Sequence, residues 1–257
     1  MSEPPLLSIR DVSVRFGGIV AVDGVSFDVP RGIVCGLIGP NGAGKTSLFN
    51  CISRLYRAER GTILLEGEAL LDKPVHTIAA LGVGRTFQNL ALFASMTVRD
   101  NIMVGGHCGS RGGFLANALR LPFVGDEERR LGERADALIE TLGLAAVADR
   151  PVASLTFATR KRVELARALA TSPKLLLLDE PAGGLNHEEV EALCALIVAI
   201  RRRFDLTILL VEHHMAMVTR VSDHVVVLNF GRKIAEGTPA AIQANPDVIS
   251  AYLGAAA

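Results

Sequence analysis

The sequence predicts an α/β fold: a mainly parallel sheet covered by helices, with an antiparallel β edge and an inserted helical segment. Three observations predict it. The apolar run "IVCGLIG" (33–39) leads through a glycine-rich turn into the helical spacing of "KTSLFNCISRL" (45–55). From residue 160 onward, apolar runs and helical patterns alternate, as they do where parallel strands are joined by covering helices. Between these regions, from about 90 to 155, the alternation gives way to charged, helix-forming sequence.

The elements follow in order. "LSIRDVSVRF" (7–16) and "VSFDV" (25–29) partly alternate and read as strands. "IVCGLIG" is short and continuously apolar, which fits a strand buried on both faces. "GTILLEGEAL" (61–70) reads as a strand and turn near a sheet edge. "HCGSRGGF" (107–114) is a loop, and "DEERRLGERADALIETLGL" (126–144) is an amphipathic helix with Leu131, Ala135, Leu138, Ile139 and Leu142 on one face. Then come a helix in "RKRVELARALA", a strand in "KLLLLDE", a helix in "HEEVEALCALIVAIRRR", a strand in "LTILLVE", a helix in "HMAMVTRVS" and a strand in "HVVVLNF". The last helices start at Thr238-Pro239, a cap followed by a first-turn proline.

Bulk properties narrow the function. Lys plus Arg equals Asp plus Glu at 27 each, so no basic field marks the chain for nucleic acid. Hydrophobic residues make up 49% and Trp is absent, which predicts a core built from aliphatics. No apolar run approaches the roughly 20 residues of a membrane-spanning helix, and "MSEPPLLSIR" lacks the basic flank and apolar core of a signal peptide. A cytosolic chain is expected. Cys35, Cys51, Cys108 and Cys194 are far apart in sequence and are expected to be reduced packing thiols.

"GLIGPNGAGKTSLFN" (36–50) contains Gly39, Gly44, Lys45 and Thr46 in the spacing G-x-x-x-x-G-K-[ST]. Glycines let the backbone wrap so that successive N–H groups of Gly39, Asn41, Gly42 and Gly44 face one anion, and the helix that follows adds its positive end. Lys45 reaches the outer phosphates, and the hydroxyl of Thr46, with Ser47 beside it, lies where Mg²⁺ is held. An ordinary glycine-rich turn needs neither the lysine nor the hydroxyl. "LLLLDE" (175–180) supplies a second contributor. Asp179 emerges at the carboxyl end of a buried strand, where open α/β sheets bind ligands, and is expected to hold Mg²⁺. Glu180 follows at once. If the backbone turns there, its carboxylate faces the attacking water as general base; otherwise it caps the next turn.

With these motifs in place, the whole chain resembles the ATP-binding subunits of ABC transporters. The resemblance implies a P-loop NTPase (RecA-like) core with an inserted ABC α-helical subdomain. It implies one nucleotide-binding domain over 1–257: an ATP-binding core at about 1–88 and 160–236, a helical insertion at about 89–159, and a helical tail from about 237. Gln88 in "RTFQNLALF" resembles the family's Q-loop glutamine, His213 in "LLVEHHM" its switch histidine, and Phe16 the aromatic that stacks on adenine. Asn186 in "GGLN" stands in the D-loop, where many members have Asp. "RFGG", "AGGLN", "VEHHM" and the ending "EGTPAAIQANPDVISAYLG" resemble the ATPases of branched-chain amino acid uptake systems. Related subunits serve urea, short amides and lipopolysaccharide export.

One segment departs from the family. Its signature is LSGGQ-like, and here Leu155 matches while Thr156, Phe157, Ala158 and Thr159 replace the rest. The resemblance implies ATP and Mg²⁺ as cofactors, hydrolysis by Glu180 with Gln88 and His213, and a signature that works in trans on a partner's ATP. The implied partners are membrane permease subunits, reached through the surface around Gln88, Leu90, Phe93 and Met96, with a solute-binding protein engaged indirectly and no nucleic acid. The implied location is the cytoplasmic face of the membrane. The methyl of Ala158 makes a heterodimer with a second, different ATPase the favoured expectation over a homodimer. Two other readings stay open at this point: a non-transport ABC ATPase, and a P-loop kinase, which needs an acceptor site.

Overall fold

In the computed structural model of the chain, residues 4–87, 89–109 and 122–253 are described. They fall into two compact units, one made of 1–78 with 174–257 and the other of 79–173.

The first unit contains two sheets. Strands β1 (Leu7–Phe16) and β2 (Ile19–Val29) form a hairpin. β4 (Arg60–Leu65) and β5 (Glu68–Ala69) extend it into an antiparallel sheet ordered β2-β1-β4-β5. The expected antiparallel edge is thus a sheet of its own, with "GTILLEGEAL" at its margin as the sequence predicts. In the other sheet β3 (Val34–Ile38), β7 (Leu175–Asp179), β8 (Thr207–Val211) and β9 (His224–Asn229) are parallel in the order β9-β3-β8-β7. β10 (Arg232–Gly237) closes the β9 end antiparallel to it. Every residue of β3, β7 and β8 is buried. Each buried leucine of Leu175–Leu178 contributes about 1.5–3 kcal/mol relative to exposure, and this holds the strand ends in place.

Helices cover the parallel sheet. α1 (Lys45–Ile52) leaves β3 through the glycine turn. α5 (His187–Arg203) buries Leu193, Cys194, Ile197 and Ile200 on one stripe and carries three arginines in its last turn, where they face the negative end of the helix. α6 (Met215–Val221) follows β8. α7 (Pro239–Gln243) starts at the Thr238 cap, whose hydroxyl accepts from the Ala241 N–H, and α8 (Pro246–Leu253) follows. Ile242 and Val248 from these last helices pack with Ile38, Val218, Val225 and Val227, so α7 and α8 are fastened beside the strand that enters the glycine turn.

The second unit contains β6 (Val83–Arg85), α2 (Val98–Gly106), α3 (Pro122–Thr141) and α4 (Phe157–Ala170). α3 buries Ala135, Leu138 and Ile139 as its periodicity predicts, while Leu142 is buried one residue past the helix end. The helical pattern read from residue 160 begins three residues earlier, because Thr156 caps the helix: its hydroxyl accepts from the Thr159 N–H at 3.3 Å. The loop "HCGSRGGF" lies largely outside the described residues. Among the described residues no helix is long and apolar enough to cross a membrane.

The cysteines divide. Cys35, Cys51 and Cys194 are buried, and burial pushes the Cys35 thiol up to about 12 and the Cys51 thiol up to about 11. Cys108 is exposed, which corrects the expectation that all four are packing thiols. At neutral pH an alkylating reagent should label Cys108 within minutes, and mass spectrometry should find the other three modified only after denaturation. Fast labelling of Cys35 in the native chain would contradict this burial.

Candidate nucleotide site

The site grows from the carboxyl ends of the parallel strands. β3 ends at Ile38 and the chain turns through Gly39–Gly44 into α1. Two glycines are required there by close approach as well as by conformation. Gly39 has φ 148° and a Cβ on it would lie 2.0 Å from the Leu228 carbonyl oxygen; Gly44 has φ 96° and its Cβ would lie 2.2 Å from that of Ala21. The loop is therefore pressed against β9 on one side and β2 on the other. Gly44 is also the N-cap of α1 and brings no capping side chain, an arrangement that suits an anion at the helix start. Asn41, Gly42 and Thr46 are exposed, and Ser47 is half-buried.

Lys45 lies in the cradle of this loop. Its Nζ donates to the carbonyl oxygens of Gly39 at 2.8 Å and Pro40 at 2.9 Å, and only 6% of the residue is exposed. Burial pushes its ammonium below the usual lysine range, and the charges of Glu180 and Asp179 pull the other way. The three charges thus share one environment. Asp179, 4% exposed, is the last residue of β7 and stands in register with Val211 at the end of β8. At Glu180 the backbone enters the left-handed region with φ 45° while its N–H still donates to the Val211 carbonyl at 2.9 Å. This turn breaks the strand alternation that would send adjacent side chains to opposite faces. A non-glycine residue in this region costs about 1–2 kcal/mol, strain of a kind that collects at functional sites.

The end of β8 supplies the other wall. Glu212 is fully buried, and its carboxylate accepts from the Ala182 N–H at 2.9 Å, the His213 N–H at 2.9 Å and the His214 N–H at 3.2 Å. It fastens the stretch after β7 to the stretch after β8. His213, about half exposed, places Nδ1 3.9 Å from Glu180 Oε1. Glu212 and His214 were not singled out by sequence reasoning; the signal was an acid between a buried strand and two imidazoles in "VEHHM". Asn186 caps α5 in a reciprocal box, accepting from the Glu189 N–H at 3.0 Å while Glu189 accepts from the Asn186 N–H at 2.9 Å. Phe16 ends β1 with 45% of its surface exposed and its ring edge-on to Tyr56, centroids 5.0 Å apart. It is not a core residue, and Tyr56 is a neighbour the sequence did not reveal.

The second unit holds the remaining candidates. Leu155 is buried, Thr156 is the cap of α4, and Phe157 and Ala158 form its first turn. Gln88 lies outside the described residues. Beside it, the Phe87 N–H donates to the carboxylate of Glu164 at 2.8 Å. Glu164 is 2% exposed, and burial pushes its carboxyl up while the Phe87 N–H opposes that shift. Asn101, fully buried, accepts from the Phe93 N–H at 2.8 Å and donates to the Phe93 carbonyl at 3.0 Å. This holds out the half-exposed ring of Phe93.

Residues 22–183 match the family model described as ABC transporter. The chain belongs to the ABC transporter family. Within ABC proteins it is similar to the high-affinity branched-chain amino acid transport ATP-binding protein BraF of Pseudomonas aeruginosa, at 44% identity over 98% of this chain and 99% of that one. It is 42% identical to LivG of Escherichia coli K12, described in the same words, over the same shares. Residues 232–257 match a second model, described as branched-chain amino acid ATP-binding cassette transporter. Among solved structures, the ADP conformation of MJ1267, an ATP-binding cassette of an ABC transporter, is similar with a TM-score of 0.84 and 30% identity over 98% of this chain and 100% of that one. This ABC chain is an ATP-binding subunit with ATPase activity.

The packing around Gly44 sets a direct test of the loop. Gly44→Ala is expected to lower stability by more than about 1 kcal/mol and to abolish the thermal shift on adding ATP. Gly42→Ala, at φ 79° with no atom within 4 Å of the added Cβ, should lose much less of either. Differential scanning fluorimetry with and without ATP reads both, and equal behaviour of the two variants would contradict the close approach.

Proposed function

We propose that this chain energises the uptake of branched-chain amino acids through a membrane permease, by hydrolysing ATP at the site built on Lys45, Asp179, Glu180 and His213. The observation that carries the substrate is the match of residues 232–257 to the branched-chain cassette model, supported by the end-to-end likeness to BraF and LivG.

The arrangement supports the following roles. The N–H groups of the loop from Gly39 to Gly44 and of the first turn of α1 bind the phosphates, with Asn41, Gly42 and Ser47 lining the approach. Lys45 exchanges the carbonyls of Gly39 and Pro40 for outer phosphate oxygens. Phe16 stacks one face on adenine while Tyr56 supports its edge. The hydroxyl of Thr46 and the carboxylate of Asp179 are hard oxygen donors of the kind Mg²⁺ takes, and Gln88 is their proposed third companion. Held by these residues, Mg²⁺ would neutralise negative charge on the outer phosphates. Glu180 accepts a proton from the water that attacks the γ-phosphorus, the bond from that phosphorus to the bridging oxygen breaks, and ADP keeps the bond's electrons. His213 donates toward the γ-phosphate from the opposite side.

A partner ATPase completes each site in trans. The first-turn N–H groups of α4, at Phe157 and Ala158, are directed outward by helix geometry and face the partner's γ-phosphate, with Leu155 anchoring the segment and Thr156 capping it. Asn186 contributes from the turn before α5. Ala158 lies in an ordinary helical turn, so it does not distort α4; its methyl only limits how closely a phosphate comes. We infer a heterodimer in which the site using this chain's Glu180 is the stronger. The half-exposed Phe93, with Leu90 and Met96, docks the permease at the cytoplasmic face of the membrane, and a solute-binding protein delivers cargo from the other side.

Two measurements test this. Reconstituted with its permeases in proteoliposomes, the complex should accumulate leucine, isoleucine or valine only with ATP inside the ATPase compartment; transport of urea or a short amide instead would overturn the substrate. Glu180→Gln should keep ATP binding and lower turnover by about 10²–10⁴-fold, the usual contribution of a general base, and by more than the equivalent change in the partner ATPase. Turnover left near that of the unmodified complex would sink the role of Glu180.

A further inference from the structure

We propose that Glu212, His213 and His214 form an inhibitory site for a transition-metal dication of the Zn²⁺ class. The three consecutive residues each offer one ligand atom, all within 4.8 Å of one another. Zn²⁺ is held by imidazole nitrogen and carboxylate oxygen at about 2.0–2.2 Å, and a tetrahedral angle then sets ligand atoms about 3.4 Å apart. Glu212 Oε2 lies 3.3 Å from His214 Nδ1 and 3.8 Å from His213 Nδ1. Little movement of the exposed imidazoles brings both to ligating distance.

The surroundings favour the same reading. The carboxylate of Glu212 is fully buried; the Ala182 N–H fixes its far oxygen and the His213 and His214 N–H groups hold Oε2, the orientation by neighbours that metal ligands commonly have. Among the described residues, the basic side chains within ion-pair distance of Glu212 are the two histidines. The imidazole rings stand 4.4 Å apart at 36°, and both side chains are about half exposed, so a dication reaches them from solvent. Mg²⁺ does not compete, since it takes oxygen ligands and keeps its waters, whereas two imidazoles and one carboxylate suit Zn²⁺.

Occupancy ties the His213 Nδ1 to the metal on Glu212, so that this nitrogen, 3.9 Å from Glu180 without metal, is no longer free to meet a phosphate. The switch ring then cannot follow the γ-phosphate, and hydrolysis stops. This consequence rests on the role proposed above for His213; the metal site itself does not.

The test separates the two. The nucleotide-free chain carrying Cys108→Ser, so that the exposed thiol does not bind metal, is titrated with ZnCl₂ by calorimetry in excess Mg²⁺. One Zn²⁺ per chain is expected, bound at least tenfold more weakly when His214→Ala is added. His214→Gln serves if the alanine variant loses its circular dichroism. In the assembled transporter, Zn²⁺ should lower hydrolysis severalfold and His214→Ala should remove that sensitivity. Equal Zn²⁺ affinity with and without His214 overturns the site. Zn²⁺ bound through His214 without loss of hydrolysis overturns the inhibition. Full hydrolysis by His213→Ala in the absence of Zn²⁺ overturns the switch role, and the inhibition with it, independently of the calorimetry.

Discussion

The register of β7 against β8 is the constraint on which the site depends. Parallel pairing sets Leu175 beside Thr207 and runs without a slip to Asp179 beside Val211. Both strands therefore end together, and the residues that leave them, Glu180 and Glu212, start from neighbouring points. A one-residue slip would send every side chain of one strand to the opposite face, separating Asp179 from the loop that holds Lys45. The buried aliphatics in these strands are what make such a slip costly. The geometry of the candidate site is thus inherited from strand packing.

Polar groups at the strand ends are held by backbone donors more than by ion pairs. Glu212 is fully buried and takes three N–H groups, from the turn after β7 and the turn after β8. A buried carboxylate without such partners would be strongly unfavourable; with them, it makes the two turns move as one. Lys45 follows the same logic in reverse, since its ammonium is satisfied by carbonyls of its own loop. The strain at Glu180 is tolerated because the N–H of that residue remains in the sheet.

The second unit repeats the device. Glu164 on α4 accepts from the Phe87 N–H beside Gln88, and Asn101 on α2 braces the backbone at Phe93. One helix thus carries Phe157 and Ala158 in its first turn and, two turns later, holds the Phe87 N–H through Glu164.

The sequence by itself determined the α/β alternation, the phosphate loop and the carboxylate pair, because these depend on local chemistry: glycine spacing, a buried leucine run and the residues at its end. It also determined the helix caps at Thr238 and the amphipathic face of α3, which are readable at short range. Tertiary structure decided what lies between elements distant in the chain. That Gly39 and Gly44 are pressed by the carbonyls of Leu228 and Ala21 depends on β9 and β2 arriving there. That Glu180 turns left-handed toward His213 depends on its N–H pairing with Val211. The exposure of Cys108 and the support of Phe16 by Tyr56 are likewise invisible to spacing. Glu212 is the clearest case: in sequence it is one acid among many, and only the burial of both strand ends makes it the carboxylate that joins them.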